Sequence, residues 1–312
     1  MNMNQIWTIQ MKNSISGGIM LPQTDPFDAS VFYVSDGFRS TYSSMRFRKL
    51  SIATGEELAN VPTKDCARCI YCDKEYIYAF LSKRILKLHR SDLTVAEAYK
   101  EKIPRCTDYV ASDGTGVFLL ANWNAPSLSV LELQPQRTHR KKIDGCCGIF
   151  RTESNTFLIF NYDSILEYSL KDNKLNKIAD TEKYTKCVRG KSGRVYILCV
   201  NYSSTATGVN DYKILIYSFA PKPRLEKVLP FPEEIHNSPY SDMNFCLSED
   251  EKRLYLFDNK SIWIYSICED TILFQHTFPS ECIQNVFVEK SLVITSRDLQ
   301  KGCEVAGWEI EI

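Results

Sequence analysis

The chain has 312 residues, 44% of them apolar, with 38 basic and 38 acidic side chains and a formal net charge of zero. That balance argues against a dedicated nucleic-acid or anionic-membrane binder, which carries a basic excess, and no segment reaches the length of a membrane span. Twelve cysteines without a short disulfide-rich frame fit a reducing cytosol, and no charged start followed by an apolar run reads as a secretion signal, so a cytoplasmic location is expected.

In chain order, Gln5 to Met11 is a spare strand, and a cassette then begins near Ile15 and returns seven times. Its core is an almost wholly apolar run, a short turn-prone gap and an alternating run. The pairs are Val31–Val34 with Met45–Ile52, Tyr76–Phe80 with Ile85–Arg90, and Val117–Leu120 with Leu128–Leu133. Then come Thr156–Phe160 with Ile165–Leu170, Val195–Leu198 with Ile214–Phe219, Arg253–Phe257 with Ile262–Ile267, and Leu292–Ile294 with Trp308–Ile312. A smaller-residue run precedes each pair, as at Asp108–Ser112 and Gly148–Thr152. A polar outer run follows, as at Leu175–Thr181 and Ile272–Phe278. Each unit therefore has four strands, named a to d from the inside outward.

Tyr78, Phe118 and Leu158 are equivalent and 40 residues apart, the period of one propeller blade. The reading is all-β: a seven-bladed β-propeller forming a single domain over 1–312. Its blades lie near 15–61, 66–103, 106–143, 146–181, 184–231, 240–278, and 282–312 plus 5–11. The last cassette has no outer strand of its own, so the N-terminal strand is expected to complete the C-terminal blade and remove exposed edges.

Most cysteines fall on or beside strand a, where crowding favours a small hydrophobe. Cys66-x-x-Cys69-x-x-Cys72 has metal-like spacing, but in a strand Cys69 faces away from the other two, so packing is the expected role. No metal and no cofactor is expected. His89, His139 and His276 fall on outer strands. His236 lies in a loop, where a solvated histidine is the expected reading. No nucleophile elbow, zinc-protease, Walker or dinucleotide motif occurs. The basic run His139-Arg140-Lys141-Lys142 falls on an outer strand, where charge blocks edge pairing.

The candidate site is therefore the top face, formed by b-to-c loops and d-to-a connections, because irregular loops on rigid repeats carry recognition. Long b-to-c loops are expected at Ser35–Ser44, Asn201–Asp211 and Arg297–Ala306, with a tight turn at Ser82-Lys83. The binding candidates on the loops are Arg39, Tyr42, Trp123, Asn124, Tyr162, Tyr202 and Arg297. Arg68, Arg105, Asp108, Tyr109, Asp242 and Asp258 are those at the channel mouth. None is assigned a catalytic role.

The repeat resembles the WD-repeat propeller superfamily over essentially the whole chain. Glu167-Tyr168-Ser169-Leu170, Ile216-Tyr217-Ser218-Phe219 and Ile264-Tyr265-Ser266-Ile267 stand where that family has Trp-Asp, yet no Trp-Asp dipeptide and no Gly-His pair occurs. The resemblance implies a binding platform. The expected function is non-catalytic recognition of a protein or peptide through the top-face loops, by a chain that is monomeric alone. The alternative is a propeller hydrolase or lyase acting on a small molecule or carbohydrate at the channel mouth, with Arg68, Asp108, Asp242, Asp258 and His236 converging there.

Overall fold

A computed structural model describes residues 2–11, 20–36, 45–103, 109–122, 127–152, 156–201, 211–219, 222–232, 235, 243–278, 282–299 and 302–311. These residues form 28 strands in seven antiparallel four-stranded sheets. The fold is an all-β, seven-bladed propeller.

The chain opens with β1 (Asn2–Met11). Blade one contains β2 (Met20–Asp25), β3 (Asp28–Ser35), β4 (Arg46–Ser51) and β5 (Glu57–Pro62). Blade two contains β6 (Cys69–Cys72), β7 (Tyr76–Phe80), β8 (Arg84–His89) and β9 (Val95–Lys100). Blade three contains β10 (Tyr109–Ser112), β11 (Val117–Ala121), β12 (Ser127–Leu133) and β13 (Gln136–Lys142). Blade four contains β14 (Gly148–Arg151), β15 (Thr156–Asn161), β16 (Ser164–Ser169) and β17 (Lys174–Asp180). Blade five contains β18 (Tyr184–Arg189), β19 (Val195–Asn201), β20 (Asp211–Ser218) and β21 (Arg224–Pro230). Blade six contains β22 (Asn244–Leu247), β23 (Arg253–Phe257), β24 (Ser261–Ser266) and β25 (Thr271–Thr277). Blade seven contains β26 (Cys282–Glu289), β27 (Leu292–Leu299) and β28 (Gly302–Glu311), and β1 is its outermost strand.

The chain divides into two compact units: 1–103 with 242–312, holding blades six, seven, one and two, and 104–241, holding blades three, four and five. In the first unit, β1 pairs antiparallel with β28 from Asn2↔Glu311 to Met11↔Cys303. The expected closure is present, and the strand starts three residues earlier than Gln5. Trp7 explains its anchorage. Its indole N–H donates to the Ile52 carbonyl at 2.9 Å, and its ring stacks on Phe32 with centroids 6.0 Å apart. The ring lies against Gly307, its own register partner, and Gly55, where no Cβ intervenes. Gly55 also takes a positive φ of 70° to turn β4 into β5.

Within each unit, apolar side chains fill the spaces between neighbouring blades. Tyr33, Phe47, Ile70, Ile77 and Leu86 pack blade one on blade two, and Phe32, Val34, Ile294 and Val305 pack blade one on blade seven. A polar latch adds to the first interface. The fully buried Asp25 carboxylate accepts from the Tyr33 hydroxyl at 2.6 Å and from Arg90 Nε at 2.9 Å, and Lys49 donates to the Arg90 carbonyl. In the second unit, Leu119, Val130, Ile149, Phe157 and Tyr168 join blades three and four. Phe160, Tyr184, Cys187 and Ile197 join blades four and five.

Two of the three strand-c Tyr-Ser pairs share a job at the c-to-d turn. Tyr168 donates to the Asn173 side chain at 2.9 Å, and Tyr265 donates to Asp270. Asn173 and Asp270 both sit in the left-handed region, with φ of 51° and 57°. Ser169 and Ser266 accept from the turn amides of Asp172 and Glu269. One tyrosine and one serine thus tie down a strained turn in each of these two blades.

Blade seven corrects one expectation. Arg297–Ala306 is not a long loop: β27 runs through Arg297 to Leu299 and β28 starts at Gly302, with ladder pairs Arg297↔Glu304, Ser296↔Val305 and Thr295↔Ala306. The polar residues there are cross-strand neighbours, so their strand character does not show as an apolar run.

Candidate functional site

Antiparallel order puts each blade's b-to-c turn at the same end as a d-to-a connection, and hydrogen bonds stitch the two together. Ser82, in the b-to-c turn of blade two, donates through its amide to Asp65 Oδ2 at 2.9 Å, and Asp65 precedes strand a of that blade. Asn161, at the b-to-c turn of blade four, accepts from the Asp144 amide at 2.8 Å, and its side chain donates to Ser164. The Tyr184 amide donates to the Tyr162 carbonyl, and the Ile283 amide to the Asn259 carbonyl. An Asx or Ser at the end of strand b therefore recurs as a clamp on the adjoining connection.

Five of the sequence-predicted site residues fall within the described chain. Asp258 is buried and accepts from the amides of Lys260 and Ser261 at 2.8 and 2.6 Å, closing its own turn. Arg297 is buried and ion-pairs with Glu304 directly across the β27–β28 ladder. Its guanidinium carbon also lies 4.6 Å from the Phe278 ring centre and 5.2 Å from that of Trp308, a cation–π arrangement. Arg68 is buried just before β6, with its amide donating to the Phe80 carbonyl at 2.8 Å. These three belong to blades six, seven and two of the first unit. In the second unit, Tyr109 opens β10 and is half-buried against the apolar cluster between blades three and four. Tyr162 occupies the blade-four turn, half-buried, with Lys183 Nζ 5.8 Å from its ring centre. Arg39, Tyr42, Arg105, Asp108, Trp123, Asn124, Tyr202, Asp242 and His236 lie outside the described residues.

The structure adds partners that the sequence reading did not name. At the blade-one turn, the buried Asp36 carboxylate accepts from the Arg46 amide at 2.9 Å and pairs with Arg48 at 3.3 Å, and Arg48 also pairs with Glu57. Burial opposes the Arg48 charge, yet the Asp36 and Glu57 carboxylates hold its guanidinium above the ordinary arginine value. Glu304, the partner of Arg297, was legible only as an acid directly opposite a base in a hairpin, a signal that needs the register first.

Cys66, Cys69 and Cys72 are all buried free thiols. Burial pushes the Cys66 thiol up to about 11 and the Cys72 thiol up to about 12, so both are neutral packing groups near neutral pH. Among the described residues, no group of three or more His, Cys, Asp and Glu side chains could hold a metal ion. None of their helices is long and apolar enough to cross a membrane.

No family model matches the sequence, and no curated protein matches it. Solved structures do. The β-propeller domain of Cps50 (Swd1) from Myceliophteria thermophila superposes with a TM-score of 0.71 at 10% identity, covering 99% of this chain and 100% of that one. The WD40 domain of Pan2 from Neurospora crassa gives a TM-score of 0.66 at 9% identity, covering 99% and 96%. At such identities the likeness carries the fold alone: the chain has the architecture of a WD40-type β-propeller.

Proposed function

We propose that the protein is a non-catalytic interaction platform that recognises a protein or peptide through the b-to-c ends of its blades. The observation that carries the reading is a contrast in the connections between strands b and c. Blades two, four and six turn in three, two and three residues (81–83, 162–163 and 258–260), sealed by the bonds of Asp65, Asn161 and Asp258. Blades one and five insert ten and nine residues (36–45 and 202–210) between equally regular strands. Those insertions, with 123–126 in blade three, hold Asn124 together with Arg39, Tyr42, Trp123 and Tyr202, and Arg, Tyr and Trp are the residue types that dominate interface hot spots. A WD40-type scaffold supports the same reading, because its rigid strands leave loops free to vary. The buried free thiols fit work in a reducing compartment such as the cytosol.

The test compares partners recovered by tagged wild type with those recovered by the Tyr42→Ala/Trp123→Ala/Tyr202→Ala triple variant. A control carries Leu58→Ser and Val95→Ser, on outer strands where both side chains are already half exposed. The triple variant is expected to lose the partners that the control keeps. Equal recovery by both would remove the b-to-c ends as the recognition surface.

A further inference from the structure

The outer strand of blade three departs from every other outer strand in charge. β13 reads Gln136-Arg-Thr-His-Arg-Lys-Lys142, and six of its seven residues are exposed. Four of the seven are Arg or Lys and one is His; no acid occurs between Gln134 and Ile143. Elsewhere the outer strands are mixed or sparse. β21 sets Glu226 among Arg224 and Lys227, β17 sets Asp180 against Lys174 and Lys177, β9 has Glu97 and Lys100, and β5 has Glu57 alone. β1 and β25 carry no Asp, Glu, Lys or Arg. An outer edge of this fold is therefore kept from self-pairing with few charges or none, and the basic run of β13 exceeds that need. It is also local, because the whole chain is neutral.

Alternate side chains of a strand face opposite ways, so Arg137, His139 and Lys141 line one face of β13 and Arg140 and Lys142 the other. Lys141 reaches the neighbouring blade, where its Nζ donates to the Asn173 carbonyl at 3.0 Å, and His139 stands 3.9 Å from Glu132. Arg137, Arg140 and Lys142 are exposed. The outer backbone edge of β13 thus runs between two rows of positive charge. An extended acidic chain laid along that edge would gain main-chain hydrogen bonds and charge pairing on both faces. A nucleic-acid strand fits less well, since β13 offers no Phe, Tyr or Trp platform for successive bases, only the single imidazole of His139.

We propose that blade three docks an acidic peptide in extended conformation, added along β13 as a fifth strand. The surface is separate from the b-to-c ends, so it does not depend on the function proposed above.

The test uses the full chain and a labelled peptide, Glu-Val-Glu-Val-Glu-Val-Glu, followed by fluorescence anisotropy. Saturable binding is expected, weakening about tenfold as salt rises from about 0.05 to about 0.5 M. The Arg137→Glu/Arg140→Glu/Lys142→Glu variant is expected to bind about tenfold more weakly or worse. The Arg224→Glu/Lys227→Glu control on β21 is expected to bind like wild type. If the triple reversal does not fold, the milder Arg137→Gln/Lys142→Gln pair carries the comparison. A peptide N-methylated at alternate residues is expected to lose binding, because it cannot extend the ladder. The proposal is overturned by any of four results: no saturable binding, binding unaffected by the β13 substitutions, equal affinity of the N-methylated peptide, or tighter β13-dependent binding of an oligouridylate of matched charge.

Discussion

Replacing Trp7 with alanine removes the ring that fastens the N-terminal strand both to its own blade and to blade one. Three losses follow from the structure. The indole N–H no longer meets the Ile52 carbonyl, a bond of 2.9 Å worth about 1 kcal/mol net. The pair with Phe32 goes, worth about 1 kcal/mol beyond area. The buried part of the indole, most of the ring, contributes at least about 2 kcal/mol more. Allowing for partial collapse of the gap, Trp7→Ala costs about 3 kcal/mol. With about 2.1 cal/mol/K of unfolding entropy per residue over 312 residues, that lowers a cooperative Tm by roughly 4–5 °C. Calorimetry reads the shift, and Ile6→Ala, already 44% exposed on the same strand, serves as the small-effect control. A sharper test uses Gly55. A Cβ there would come within 2.6 Å of the Trp7 ring and would also strain the positive φ of 70°. Gly55→Ala therefore carries a clash and a backbone cost, and only the clash disappears in the Trp7→Ala background. The double-mutant cycle must show a coupling of about 1 kcal/mol or more in that direction. Additive effects, or a Trp7→Ala melt within about 1 °C of wild type, would refute the account of how β1 is held.

Three further outcomes follow. Removing Arg297 alone (Arg297→Met) strands the Glu304 carboxylate in a buried site and is expected to cost about 3 kcal/mol in urea unfolding, whereas Arg297→Met with Glu304→Leu recovers most of it. If the single and double variants are equally unstable, the ion pair is not what the site protects. Asp25→Ala leaves Arg90 and Tyr33 without their shared acceptor and is expected to cost about 3 kcal/mol, against about 1 kcal/mol for Tyr33→Phe. Alkaline stability follows from the thiols. Burial raises Cys66 to about 11 and Cys72 and Cys199 to about 12, while an unfolded thiol ionises near about 8.5. The unfolded chain then releases protons first as pH rises. This stability is complete below about pH 8.5 and drains away above it, by about 1–2 kcal/mol per thiol at pH 10. Urea midpoints between pH 8 and 10.5 check the slope, which Cys72→Ala makes shallower.

The blades were legible because each apolar run sits at a fixed distance from its alternating partner, and sheet pairing needs little more than that spacing. The closure was legible because the last cassette lacks an outer strand and Gln5 to Met11 is a spare one ahead of the first cassette. Blade seven was not fully legible. Thr295, Ser296, Arg297 and Glu304 are all buried, and polar residues in a strand look like loop residues to any search by hydropathy. Their strand character rests on cross-strand pairing: Arg297 opposite Glu304, and Thr295 Oγ1 accepting from the Trp308 indole at 2.9 Å. Neither relation exists until the register is known.

The candidate site was legible to a different extent, and the reason lies in what polar residues do at a blade's end. Asp258, Asn161 and Asp65 share one environment, at the meeting of a tight turn and an inter-blade connection, and all three satisfy backbone amides there. A short b-to-c turn consumes its own Asx or Ser in holding the scaffold. A polar residue beside such a turn is thus a poor recognition candidate, however well it is placed in sequence. A longer insertion adds residues beyond the one that closes the turn: in blade one Asp36 accepts from the Arg46 amide and pairs with Arg48, and the residues that follow it are surplus to that task in sequence. The same reasoning separates β13 from its counterparts. A few charges discharge the duty of an edge strand, and the surplus on Arg137, Arg140 and Lys142 has no structural creditor within the described chain. Function in a repeat scaffold is therefore best sought where one copy carries more chemistry than the equivalent position in every other copy requires.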